Sequence, residues 1–281
     1  MKNKRTFKTV LTQEGTRDEA KNLLTFGGHI RVLRMMLIRI ILVVIVLGSI
    51  VFCLKVQTFR ILLAPHSSDF CTFRVLKSML TYFGMEKSLA GETYVPLIST
   101  ELSAQFMTHI TVSCMLGILL ASPYILFELF RFISPALYDS EKKYSVCVTC
   151  IIYGLFISGV LMSYYLLFPV AFQFLANYRV DDSIISTITI DSYISTFVTL
   201  TFMMGIVFQL PVIAFILGKM GFIDASLLRR YRSYALVFIM IIAAVITPPD
   251  LFTLLLVTIP IYGLYEISIL VLKWSRMKRK E

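Results

Sequence analysis

Six apolar runs constrain the fold of this chain more than any other feature. A helix rises about 1.5 Å per residue, so roughly twenty apolar residues are needed to cross about 30 Å of hydrocarbon. With 57% hydrophobic residues, only 16% charged residues and a mean hydropathy of +0.80, the composition differs strongly from that of a soluble domain. We therefore predict an integral membrane protein with spans at 35–54, 106–130, 145–168, 193–217, 234–246 and 251–272.

The fold class predicted from these runs is all-α. Backbone groups in lipid must pair internally, and the runs lack the two-residue alternation of an outer-membrane barrel strand. We predict an N-terminal tail at 1–34, a six-helix transmembrane domain at 35–272 and a basic tail at 273–281, and we expect the last two helices to be short. The fifth has only about fourteen residues, which rise about 21 Å, so the bilayer should thin there or the helix should pack against protein.

The distribution of basic residues predicts the orientation of the spans. Of the 27 lysines and arginines, only six lie in the loops 55–104 and 169–192, and the other 21 lie in the two tails, the first span and two short loops. Because positively charged short loops stay in the cytoplasm, both termini should be cytoplasmic and loop 55–104 periplasmic. The net charge of +10 then reflects topology. Nucleic-acid binding is not expected, because the basic residues are scattered over separate segments.

The sequence gives little support for catalytic, redox or metal chemistry. The five cysteines form no disulfide framework, and Cys147 and Cys150 make a CxxC without neighbouring histidines or acids, which favours two small buried residues. HExxH and GxSxG motifs are absent. We therefore expect no enzyme activity, no metal and no cofactor. A small-solute secondary transporter or channel is the alternative, but the convergent intramembrane charges or repeats that it needs are not evident.

A charge cluster lies between the second and third apolar runs, in the stretch SPYILFELFRFISPALYDSEKKY at 122–144. The apolar segment leads into an aromatic residue and a proline, and then into a carboxylate, Glu141, beside Lys142 and Lys143. Taken alone, Glu141 would be a solvated acid neutralised by these lysines, and Phe132 would be an interfacial aromatic residue. The position of the cluster between two spans nevertheless suggests a receptor surface at the membrane edge.

Five segments together resemble the TatC family, the multispanning receptor subunits of the twin-arginine protein translocase. They are ASPYILFELFRFISPALYDSEKKY at 121–144, LLFPVAFQFLAN at 166–177, MGIVFQLPV at 204–212, LRRYRSYA at 228–235 and ITPPDLFTLLLVTIPIYGLYEI at 246–267. The resemblance implies six helices in a cupped arrangement in the cytoplasmic membrane, with no catalytic chemistry. It also implies binding to paired-arginine signal peptides of folded cargo, single-span partners of TatA type and TatB type, self-association, and transport driven by the proton-motive force.

The resemblance further implies a signal-peptide site formed by Phe132, Leu137, Glu141 and Arg34. An arginine pair needs a carboxylate, because the planar guanidinium fork can meet its two oxygens with parallel hydrogen bonds. Phe132 would shield this contact from water. Shielding matters because an exposed ion pair contributes about 0 to 1 kcal/mol, whereas hydrogen bonds to charged groups contribute about 1.5 to 3 kcal/mol.

The chain departs from the family at the start of the first span. In GHIRVLRMMLIR at 28–39, Val32 stands where the family carries a glutamate, so the second carboxylate expected near the arginine pair is missing. Glu128, four residues before Phe132, is a candidate substitute. A carboxylate in a span needs a partner, and we expect Glu128 to pair locally with Arg131 at i+3 rather than to contact the peptide.

Other family matches predict partner docking and structural roles. Gln209 and Tyr164 match positions for docking a partner helix, although Gln209 fits an internal helix–helix hydrogen bond equally well, and Tyr164 and Glu266 fit packing roles first. In TPPD, Thr247 is expected to cap the sixth helix, with Pro248 and Pro249 in its first turn and Asp250 facing its positive end.

The loop at 55–104 resembles the family least. Pro65 is its family-matched residue. Aromatic and leucine side chains recur there at three- and four-residue steps, which predicts an amphipathic helix that lies on the bilayer or caps the cup; they are Phe70, Phe73, Leu76, Leu80 and Phe83.

Overall fold

The computed structural model describes residues 30–67, 70–82, 96–133, 145–178, 181 and 187–277. In these ranges the chain forms helices α1 Ile30–Cys53, α2 Lys55–Leu63, α3 Cys71–Tyr82, α4 Ala104–Ile133, α5 Ser145–Met162, α6 Phe168–Asn177, α7 Ile190–Val207, α8 Leu210–Lys219, α9 Ala225–Arg230, α10 Arg232–Ile246 and α11 Leu251–Met277. A 3₁₀ turn, Ala64–His66, follows α2, and a π-helical turn, Ser163–Leu167, joins α5 to α6. Two short strands, β1 Leu97–Ile98 and β2 Ile188–Thr189, pair in parallel.

The helices confirm the all-α fold and give six apolar spans. Five stretches are long and apolar enough to cross a membrane: α1, α4, α5 with α6, α7 with α8, and α11. The sixth apolar helix, α10, has only 15 residues and rises about 22 Å, which agrees with the predicted short fifth span. The prediction that the last span is also short is wrong. Helix α11 has 27 residues, because it continues through Pro260 and past the last apolar residues toward the basic tail.

Two of the long spans are interrupted where proline removes a backbone donor. In the third span, the π-helical turn immediately precedes Pro169 in the first turn of α6. In the fourth span, α7 ends at Val207 and α8 begins at Leu210, followed by Pro211. The backbone N–H groups in the first turn of a helix have no acceptor within that helix, so proline, which lacks an N–H, is tolerated there. Each interruption therefore coincides with the start of a new helix.

The core lies around α7, which packs against α5 and α4. Leu200 and Met204 in the middle of α7 are fully buried, as is Val112 of α4. The hydroxyls of Ser163 and Thr201 are 3.2 Å apart in this interface and join the π-helical turn to α7. Helix α11 packs mainly against α8 and α10, so the second half of the molecule is built onto α7 and α8.

The 55–104 segment is tied to the spans by aromatic side chains. Phe73 of α3 and Phe70 immediately before it are buried, as expected for an amphipathic segment; the side chains of Leu76 and Leu80, and Phe83, lie outside the described residues. The ring of Phe70 lies 5.6 Å from that of Tyr164 and 5.7 Å from that of Tyr165, and Thr72 donates a hydrogen bond to the Tyr165 carbonyl. Helix α3 therefore docks on the third span.

The end of α2 is held by two tyrosines from different spans. The Tyr164 hydroxyl donates to the carbonyl of Ile61 at 2.7 Å, and the Tyr193 hydroxyl donates to the carbonyl of Leu62 at 3.0 Å. The Ile61 carbonyl also accepts from the Ala64 N–H, so the two hydroxyls add side-chain hydrogen bonds at a helix end where carbonyls lack partners within the helix. The buried Pro65 then follows in the 3₁₀ turn.

The turn between α10 and α11 corrects one predicted cap. The Thr247 hydroxyl donates to the carbonyl of Ala243 at 2.9 Å, so Thr247 closes α10 and does not cap α11. Asp250 is the capping residue, because its Oδ1 accepts a hydrogen bond from the Thr253 N–H at 2.7 Å. Pro248 and Pro249 precede α11, which begins at Leu251, and do not form its first turn. A cap must stand immediately before the first helical residue, and Thr247 is three residues too early.

Candidate functional site

A cavity of about 350 Å³ lies between the N-terminal end of α1 and the C-terminal end of α4. Helix α1 contributes one face, at the spacing of successive helical turns, and α4 contributes its last described turn. The lining combines apolar and charged side chains; they are Arg31, Val32, Met35, Met36, Arg39, Glu128, Arg131 and Phe132. Such a cavity can hold an apolar chain segment together with a charged group.

Two glycines bring α1 and α4 together further along the helices. A Cβ atom added at Gly117 would lie 2.7 Å from the Cα of Gly48 and 3.2 Å from the carbonyl oxygen of Val44. Small residues at a helix crossing in lipid allow the backbones to approach closely. This contact fixes the relation between the two helices whose ends line the cavity.

Glu128 is the acidic residue among the described residues of the cavity wall. It is only 7% exposed, and its Oε1 lies 3.8 Å from Nη1 of Arg39 and accepts a hydrogen bond from the Tyr124 hydroxyl at 3.1 Å. The predicted pair with Arg131 is therefore wrong. The cation that reaches Glu128 comes from α1, because that helix packs against the face of α4 that carries the carboxylate, whereas Arg131 is exposed.

The structure brings together only part of the predicted signal-peptide site. Phe132 is half-buried and lines the cavity together with Val32, the position that lacks the family's glutamate. Arg34 is an exposed residue of α1 and is not among the lining residues. Leu137 and Glu141 lie outside the described residues, which end at Ile133 on this side of the loop.

The residues predicted for partner docking make internal contacts. Gln209 stands between α7 and α8, and its Nε2 donates to the carbonyl of Ile152 in α5 at 3.1 Å. This is the internal helix–helix hydrogen bond that the sequence left open as an alternative. Tyr164 holds the end of α2 through its hydroxyl, and its ring packs against Phe197 at 6.1 Å. Both side chains thus have packing roles.

Glu266 and Arg232 form a second ion pair. Nη2 of Arg232, at the start of α10, lies 2.6 Å from Oε2 of Glu266 in α11, and the Tyr262 hydroxyl donates to Oε1 of Glu266 at 3.3 Å. The contact joins the start of α10 to the middle of α11, which is a packing role. Among the described residues, no three histidine, cysteine, aspartate or glutamate side chains come together in an arrangement that could hold a metal ion.

Two polar features of the spans were missed by sequence reasoning. One is the pair between Arg39 and Glu128, although a lone arginine inside the apolar run MMLIRIIL was a visible signal. The other is His109 in α4, which is buried and stacked on Phe52 at 4.1 Å between ring centroids. Its sequence neighbours are apolar or hydroxylated, so its contact with α1 could not be inferred from them.

These features define a polytopic α-helical membrane protein with a partly charged cavity between the ends of its first two spans. The family profile described as "Sec-independent protein translocase protein (TatC)" matches residues 28–260. The chain therefore belongs to the TatC family. This confirms the family predicted from the five matching segments.

Curated relatives and a solved structure agree with this assignment. TatC of Carboxydothermus hydrogenoformans is 33% identical over 257 residues, which cover 91% of this chain and 95% of that protein. TatCy of Bacillus subtilis is 38% identical over 166 residues, covering 59% of this chain and 65% of TatCy. The crystal structure titled "Twin Arginine Translocase Receptor- TatC" superposes with a TM-score of 0.71 at 31% identity, over 88% of this chain and 99% of that one.

Proposed function

We propose that this chain is the signal-peptide receptor and core subunit of a twin-arginine translocase that exports folded proteins across the cytoplasmic membrane. Membership of the TatC family and the likeness to a solved twin-arginine translocase receptor support this proposal. Transport would be driven by the proton-motive force, and both termini would be cytoplasmic. A small-solute transporter or channel is not favoured, because the family match covers residues 28–260 and so includes all six spans in whole or in part.

The observation that carries the proposal is the cavity between α1 and α4. Phe132, which matches the family's signal-peptide aromatic residue, lines it beside the apolar side chains of Met35 and Met36. These side chains can take up the apolar part of a signal peptide, and the charged side chains of the lining would face the arginine pair. The cavity also lies at the ends of the spans where basic residues are concentrated, which is the proposed cytoplasmic side.

Glu141 is the proposed acceptor of the arginine pair, with Leu137 and Phe132 packing on the peptide and Arg34 nearby on α1. A carboxylate can accept two parallel hydrogen bonds from one guanidinium, whereas a lysine ammonium offers only a point charge. The proposal therefore requires that paired arginines bind better than paired lysines.

The proposed partners are single-span proteins of TatA type and TatB type, together with further copies of this chain in the receptor complex. Gln209 and Tyr164 are the proposed docking positions. The Nε2 of Gln209 is already used internally, so a partner would be contacted through the remaining polar atoms of the amide and would gain little energy from them. The chain would contribute recognition and assembly without catalytic chemistry.

Photocrosslinking tests the receptor function directly. A photoreactive residue replaces Met35, which lines the cavity without a proposed role in binding arginine, and a labelled signal peptide is added to membranes that contain the protein. We expect crosslinks with paired arginines, weaker ones with paired lysines, and their loss in Glu141→Gln. Glu101→Gln, a change at an exposed acid before α4, is the matched control. Equal labelling by both peptides, or undiminished labelling in Glu141→Gln, would contradict the proposal.

A further inference from the structure

We propose that Glu128 supplies the second carboxylate for the arginine pair, in place of the acid that this chain lacks at Val32. The inference rests on the proposed function and adds a residue to its site. It places on α4 the second carboxylate, which the resemblance to the TatC family places on α1.

The two positions face the same cavity. Val32 lines its α1 wall and is 57% exposed, and Glu128 lines its α4 wall. Glu128 is the one acidic side chain among the described residues of the lining. A guanidinium that enters the cavity thus meets an apolar side chain on α1 and a carboxylate on α4. The carboxylate that α1 lacks is therefore replaced by one on the other wall of the same cavity.

Glu128 has an oxygen available for a ligand. Both contacts that the described residues make with its carboxylate, from Arg39 and from Tyr124, fall on Oε1. The carboxylate is nearly buried, and a hydrogen bond to a charged group is stronger in such a place than in water. An incoming guanidinium can therefore bind Oε2 first and then both oxygens.

Arg39 is the resident competitor for this carboxylate. Its Nη1 lies 3.8 Å from Oε1, well beyond the 2.7–2.9 Å that is typical of a charge-assisted hydrogen bond, and its side chain is 54% exposed. The pair between Arg232 and Glu266, at 2.6 Å, shows what a closed contact looks like in the same chain. The contact of Arg39 is long and its side chain is only half covered by the protein, so a peptide arginine can displace it from the carboxylate.

The other cations of the cavity set a requirement on the ligand. Arg31 and Arg131 also line it, so the described lining carries three arginines and one carboxylate. A single cation would be attracted by one carboxylate and repelled by three arginines, so it would bind there only weakly. A signal peptide that also packs on the apolar side chains of the lining and engages the proposed acceptor Glu141 can overcome this repulsion. Glu128 would then add selectivity for arginine to a site that binds through several contacts.

The test is a charge-relocation series read out by the dissociation constant of a fluorescent paired-arginine peptide. Glu128→Gln keeps an acceptor for Tyr124 but removes the charge, and we expect it to weaken binding about tenfold or more. Adding Val32→Glu to Glu128→Gln should restore binding, because it puts a carboxylate back into the same cavity. Arg39→Gln should tighten binding by removing the competitor, and Glu101→Gln should change nothing.

Three outcomes would overturn the inference. If Glu128→Gln leaves binding unchanged while Glu141→Gln abolishes it, Glu128 has no role in recognition and the receptor function stands. If Glu128→Gln weakens binding and Val32→Glu does not restore it, Glu128 serves to hold α1 against α4. If the unaltered protein binds paired arginines and paired lysines equally, the receptor function itself fails.

Discussion

Asp250 shows how one side chain sets the start of a helix. Its Oδ1 accepts the Thr253 N–H at 2.7 Å, and its Oδ2 accepts the Thr253 hydroxyl. The negative charge also faces the positive end of α11. The sequence TPPD predicted a cap in this turn but could not tell Thr247 from Asp250, because both residue types cap helices well and the choice depends on where the helix begins.

Asp250→Ala should lower the stability of the protein by about 1 kcal/mol, the usual cost of losing an N-terminal cap. Asp250→Asn should retain most of that stability, because the amide oxygen can still accept from the Thr253 N–H. Thermal unfolding in detergent measures both. Thr247→Val is the matched control in the same turn and should cost less, since it removes only a hydroxyl that donates to Ala243. A larger loss in Thr247→Val than in Asp250→Ala would contradict the assignment of the cap.

Helices α5 and α7 approach each other closely at their crossing. A Cβ atom added at Gly159 of α5 would lie 2.6 Å from the Met204 carbonyl oxygen and 2.8 Å from Cγ of Phe208. The first of these is a backbone atom and cannot rotate away. This approach could not be predicted from the sequence, because α5 carries a second glycine, Gly154, with the same helical pattern around it and no neighbour within 4 Å of an added Cβ.

Gly159→Ala should therefore destabilise the protein by about 1 to 3 kcal/mol, the usual cost of overpacking a close contact. Gly154→Ala on the same helix should be neutral or stabilising, because alanine is the better helix former and meets nothing there. Unfolding of both variants in the same detergent compares them directly. Equal stabilities would show that α5 and α7 do not meet at Gly159 as described.

At the scale of the whole molecule, hydropathy and the family segments were sufficient to predict six spans, the short fifth helix and the family. The same segments matched Phe132, which the structure places in the cavity. The pair between Arg39 and Glu128 was not predictable, because it joins two helices and depends on how they cross. Arg131, at i+3, is the expected partner of Glu128 only when α4 is considered alone. The packing of α1 on α4 brings another cation, Arg39, to this carboxylate.

The distribution of lysine and arginine leads to a prediction for the whole molecule. We expect both termini in the cytoplasm and the 55–104 segment on the opposite side, because 21 of the 27 basic residues lie on the proposed cytoplasmic side. A green fluorescent protein fused after Glu281 should fluoresce, and alkaline phosphatase fused in the 55–104 segment should be active. A phosphatase fused after residue 223 serves as the inactive control. Activity at that control position would require the opposite orientation.

The two tyrosine hydroxyls at the end of α2 have a mechanical consequence. Tyr164 belongs to the third span and Tyr193 to the fourth, and together they anchor consecutive carbonyls, those of Ile61 and Leu62. A force on the segment that follows α2 is therefore transmitted to two neighbouring helices. It does not simply bend the chain at the end of α1. The segment and these two spans should move as one stiff body when the protein changes shape.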